Sequence, residues 1–170
     1  MAIVKANYTK RASGAKASIR YIAHRPGKDG QHITRPLFGH DGQLSRQEAY
    51  QMIDAAEEGS VFFRFVISPD PKGEDKEHDL HLREVTERTM HTLEERLHKQ
   101  VSWVAAQHDD HAPHRHMHVL AVVNGRLYSQ DFQALRREAT QACLEQRSQL
   151  DLAKEQSQTQ EQEGQWDLQH

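Results

Sequence analysis

Cysteine is nearly absent: Cys143 is the only one in 170 residues. One thiol cannot close a disulfide within the chain or build a thiolate zinc site, so no cross-link holds the fold. A lone cysteine fits a reducing, cytoplasmic setting. Long apolar runs are also missing. Nothing approaches the roughly 18 residues that span a bilayer, so neither a transmembrane helix nor a membrane partner is expected. Met1-Ala-Ile-Val-Lys5 lacks the ordered basic and apolar regions of a secretory signal. No internal repeat is visible. A chain of this length supports one domain with a real core.

Acid and base are unevenly spread. The net charge is −3, yet residues 1–36 carry eight lysines and arginines against the single acid Asp29. Such a segment is either a solvated basic face or the docking place of a polyanion.

The hydrophobic periods divide the chain into alternating elements. Residues 2–8 read as a strand. Ser13 is the expected cap of a helix over 14–24, stopped by Pro26-Gly27, with Ala15, Ile19, Ile22 and Ala23 as its apolar stripe. Tyr21 falls nearly opposite that stripe. With Arg20 and Arg25 beside it, it is placed to meet a phosphate; the plain alternative is an ordinary, partly buried tyrosine. Residues 27–43 read as irregular or hairpin. Ser45-Arg-Gln-Glu48 is a capping box opening a helix that Gly59 ends. Val61–Ile67 is an apolar strand, 79–98 a helix, and 101–108 a further strand. Asn124-Gly125 is a hairpin signal into a return strand through Tyr128, and Ser129 caps a last helix. The order implies an α+β fold, a central antiparallel sheet flanked by helices. Residues 146–170 hold eight glutamines and few large apolar groups, as an extended helix or a disordered tail would.

The densest chemistry lies in residues 108–118, where His108, His111, His114, His116 and His118 surround Asp109 and Asp110. Val119–Val123 follows directly, so 114–123 reads as a strand. Alternation then puts His114, His116 and His118 on one face, with His108 across a short loop. Histidine-rich loops also bind metals adventitiously. Imidazoles stacked on one face, however, repel when charged unless an ion or a pKa shift relieves them. A three-imidazole site can stabilise charge on a phosphodiester. A tyrosine can attack the phosphorus and stay bonded to it, although an unperturbed phenol titrates near roughly 10 and needs help. Asp109 or Asp110 can orient a metal-bound imidazole or assist proton removal.

At this point the residues resemble a family: the relaxases of conjugative and mobilisable plasmids, within the HUH endonuclease superfamily. Arg20-Tyr21-Ile22 after a short first strand looks like the motif bearing the nucleophile. Val66-Ile67-Ser68-Pro69 looks like the second motif. His108-Asp109-Asp110 with His116-Met117-His118 looks like the histidine motif. The likeness covers about residues 1–140. It implies an HUH-type palm fold, with a nicking domain over 1–145 and a tail or linker over 146–170. It implies site- and strand-specific nicking of single-stranded DNA at an origin of transfer, alongside accessory relaxosome proteins, through a 5′-phosphotyrosyl intermediate. Tyr21 becomes the nucleophile and His108, His116 and His118 the ligands of Mg2+ or Mn2+. Asp109 or Asp110 becomes the supporting acid. Ser68, with Arg20, Arg25 and Lys16, becomes a DNA contact. His114 departs from the pattern as an additional candidate ligand; the pair could instead be His114 and His116, although His116 and His118 abut the apolar strand, and nitrogen-only ligation suits Zn2+ or Ni2+ equally. A replication initiator or transposase, which would use a tyrosine after the histidines such as Tyr128, is one alternative. A non-catalytic DNA-binding metalloprotein is the other.

Overall fold

The computed structural model describes residues 1–109 and 114–169. Ten elements follow one another: β1 (Ile3–Thr9), α1 (Ala12–His24), β2 (Leu37–Gly39), β3 (Gly42–Leu44), α2 (Arg46–Asp54), β4 (Val61–Ser68), α3 (Leu82–Leu97), β5 (Ser102–His108), β6 (His116–Val123) and α4 (Ser129–Gln169). The strands form one antiparallel sheet in the order β1-β4-β6-β5-β2-β3. The fold is thus α+β, a six-stranded sheet with helices on both faces. No described helix is long and apolar enough to cross a membrane.

Two apolar layers hold the helices to the sheet. On one face Ala15, Ile19, Ile22 and Ala23 of α1, with Ala49 and Ile53 of α2, pack on Phe62, Val104, Ala106 and Leu120. The expected stripe of α1 is therefore its buried stripe. On the other face α3 and α4 cover Phe65, Ile67, Met117, Val119 and Ala121. Strand β6 is covered on both sides and β4 fully on one and in part on the other, which is why their sequences read as nearly continuous apolar runs.

Several local expectations change. Ser13 lies inside α1; Arg11 precedes the helix and caps nothing with its side chain. The capping box at Ser45 and Glu48 forms in both directions, but α2 ends at Asp54, five residues before Gly59. The region 27–43 resolves into the β2–β3 hairpin, with Gly42 at φ +113°. Residues 79–81 stay outside α3, where Asp79 pairs with Arg147 at 2.7 Å. The return strand through Tyr128 does not form. β6 already pairs with β4 on one side and β5 on the other, so no sheet edge is left for it, and the chain turns directly into α4. Residue 145 falls inside this helix. Gln146 and Arg147 are still buried, bonded to His81 and Asp79, whereas residues 152–169 are exposed.

Candidate metal centre

The site lies on the α1 face of the sheet, where β5 ends and β6 begins. His108 and His116 are direct cross-strand partners, and His118 stands opposite Ala106 on one side and Val66 on the other. The period of two puts all three imidazoles on the same face. Their ring centroids lie 4.3–5.5 Å apart. His116 Nε2 and His118 Nε2 are 3.1 Å from each other, and one nitrogen from each ring falls within 4.8 Å of the others. His108 and His116 are buried and His118 is half-buried.

The surroundings set these rings up as neutral ligands. His108 Nε2–H donates to the Ile22 carbonyl at 2.8 Å, since a carbonyl can only accept. That tautomer leaves Nδ1 with its lone pair, the arrangement that second-sphere carbonyls impose on metal-binding imidazoles. Burial lowers the pKa of His116, against a hydrogen bond from its ring to the His114 backbone that acts the other way. Burial also pushes His118 down to about 3, helped by the neighbouring His108 and His116 rings and by Arg25 and Arg35. A preassembled three-nitrogen set, with His116 and His118 held toward the neutral form, fits a divalent transition ion.

Tyr21 comes to this site. Its ring centroid is 5.8 Å from His118, edge-on, and 6.4 Å from His108, nearly parallel. It is 47% exposed, off the buried stripe of α1, as its place on the helical wheel suggested. The last turn of α1 sits directly over the imidazoles through the Ile22–His108 bond, so a flank residue there reaches the site. The Arg25 guanidinium stacks 5.3 Å from the Tyr21 ring. Arg35, buried behind it, donates to the Arg25 carbonyl at 2.7 Å.

The other expected residues divide. Ser68 ends β4 on the same face as the histidines, two positions past Val66, the residue opposite His118. Lys16 and Arg20 instead turn toward α2, with Lys16 paired to Asp54 at 2.7 Å and Arg20 donating to the Tyr50 hydroxyl at 3.4 Å. Asp109 is exposed and accepts from Gln107 at 2.9 Å; among the described residues no imidazole hydrogen bond to it is formed. Asp110 lies outside the described residues. His114 sits in a bend before β6 begins, outside the three-histidine cluster, so the strand expected from 114 starts two residues later.

No family model, curated protein or solved structure matches this chain.

Beside the three rings a groove of about 650 Å³ runs between α1 and strands β1 and β4. Lys5, Asn7, Ser18, Tyr21, Arg64 and His118 line it, and Arg64 Nη1 donates to Ser18 Oγ at 3.3 Å. The sequence reading missed Arg64. Its signal is the one charge inside the apolar run Val61–Ile67, exposed on the face that α1 only partly covers.

Proposed function

We propose that this protein is a metal-dependent, site- and strand-specific DNA-nicking relaxase of HUH type, acting on single-stranded DNA at an origin of transfer. The observation that carries the reading is the approach of Tyr21 to within 5.8 Å and 6.4 Å, ring to ring, of His118 and His108. Few reactions call for a phenol against three imidazoles; transesterification of a phosphodiester is one.

In the proposed reaction Tyr21 Oη forms a bond to phosphorus as the bond to the 3′ oxygen breaks. The phenol proton passes to solvent and the leaving 3′ oxygen is protonated. The 5′ phosphate stays on Tyr21, so one phosphodiester replaces another and resealing needs no nucleotide. His108, His116 and His118 would hold a divalent ion, Mg2+ or Mn2+ by the resemblance, with Zn2+ or Ni2+ also suited to the donors. Such an ion supplies charge stabilisation on a non-bridging oxygen. Arg25 lies where it can neutralise the phosphate, and the groove with Lys5 and Arg64 suits an extended strand whose backbone is anionic. Ser68 would contact the DNA near the cut. Accessory relaxosome proteins would present the origin.

The test uses randomised single-stranded oligonucleotides labelled at the 3′ end, incubated with Mn2+ and run on a denaturing gel. Label retained on the wild-type protein, lost in Tyr21→Phe and kept in Tyr128→Phe, is the expected result. An undiminished adduct in Tyr21→Phe would rule Tyr21 out.

A further inference from the structure

The metal reading leaves one charged residue of the histidine stretch unused. Arg115 stands between His114 and His116, and its side chain runs to the far side of the sheet. There it forks onto Asp75, Nε to one carboxylate oxygen at 2.9 Å and Nη2 to the other at 2.8 Å. Nη2 also donates to the Leu80 carbonyl at 2.9 Å. Asp75 is 2% exposed and Arg115 13%. Asp75 accepts from the Leu80 N–H as well, at 3.2 Å.

The segment holding Asp75 is itself tied down. Within it the Asp70 N–H donates to Glu74 at 2.7 Å. From α4, Arg147 binds Asp79 at 2.7 Å and Gln146 accepts from the His81 N–H at 2.7 Å. A chain of partly buried polar contacts therefore runs from α4 through residues 70–81 to Arg115, next to His116.

His116 needs such support. The β5–β6 ladder ends at the His108–His116 pair, and the β4–β6 ladder ends one residue later in the chain, at Met117. His116 is thus the outermost residue of its strand, where ladders open most readily. A small rotation there would carry its Nε2 away from the His118 nitrogen 3.1 Å off.

We infer that the Arg115–Asp75 pair is a positioning device for the metal centre. It pins the entry of β6 so that His116 stays within ligating distance of His108 and His118. The inference rests on the metal-centre reading. A bidentate, buried ion pair suits this task because its fork fixes direction as well as distance.

The test measures Zn2+ and Mn2+ affinity by competition with a chromophoric chelator. Wild type is compared with Asp75→Asn, Arg115→Lys and Arg96→Ala, at a temperature where circular dichroism shows each one folded. The last variant breaks an ion pair between α3 and α4 and controls for general loss of stability. Asp75→Asn and Arg115→Lys are expected to bind about tenfold more weakly, the low end for second-sphere losses, while Arg96→Ala binds as wild type does. Wild-type affinity in both site variants overturns the inference, as does an equal loss in Arg96→Ala. A wild-type protein that binds neither ion sinks the metal centre itself, and the positioning role with it.

Discussion

His118→Gln isolates the electrostatics of the imidazole cluster. In the fold this ring is held at a pKa of about 3, against an unfolded value of roughly 6.5. A histidine whose folded pKa is depressed binds its proton in the unfolded chain first. Its contribution to stability is therefore complete above pH ~6.5 and is lost as the pH falls toward 3. At pH 5 the unfolded ring is about 1.5 units below its pKa while the folded ring is still neutral, a loss of about 2 kcal/mol relative to pH 8. For a chain of this size that is ~4–8 °C in melting temperature. The assay is thermal unfolding of both proteins in EDTA from pH 8 to pH 5. Wild type should lose about 2 kcal/mol more than His118→Gln over that interval, whatever the offset between them at pH 8. Parallel pH profiles would refute the desolvated, neutral cluster.

The same neutral rings should make the fold respond to metal. Mn2+ or Zn2+ at a hundred times its Kd adds about 2.7 kcal/mol, or ~5–11 °C in melting temperature; differential scanning fluorimetry should show this reversed by EDTA and absent in His116→Ala. Asp79 is held below the usual carboxylate range by its hydrogen bonds to Arg147. The stability it contributes is present above pH ~3.9 and is lost as the pH falls further, so Asp79→Asn should flatten the acid limb of the unfolding curve below pH 4. Removing residues 156–170, all exposed where described, should change stability by less than about 0.5 kcal/mol in urea unfolding. Ending the chain at residue 145 should cost more, roughly 2–3 kcal/mol, because the partly exposed Asp79 loses its hydrogen bonds from Arg147.

What could be read from the chain in advance was periodic or local. Alternation alone put His116 and His118 on one face, and the capping box at Ser45 and Glu48 announced α2. The stripe of α1 followed from four apolar residues. Several failures share a cause: they depended on neighbours distant in sequence. Asn124-Gly125 is good hairpin chemistry, but pairing needs a vacant edge, and β6 has none. Lys16 and Arg20 belong to a basic segment, yet α2 lies alongside α1 and offers Asp54 and Tyr50 as partners. Asp75 and Arg115 are 40 residues apart, and neither carries a local pattern that announces the other. His114 followed the alternation on paper, but β6 opens only at His116, so the period does not extend to it.

The account stands on Tyr21 and the three imidazoles serving one phosphate. The most direct measurement is peptide mapping by mass spectrometry of the protein after reaction with single-stranded DNA and Mn2+, followed by nuclease trimming. A nucleotide 5′-phosphate carried on the peptide containing Tyr21, and absent when His118 is changed to Ala, is the predicted result. A modified Tyr128, or a modified Tyr21 that forms equally well without His118, would contradict it.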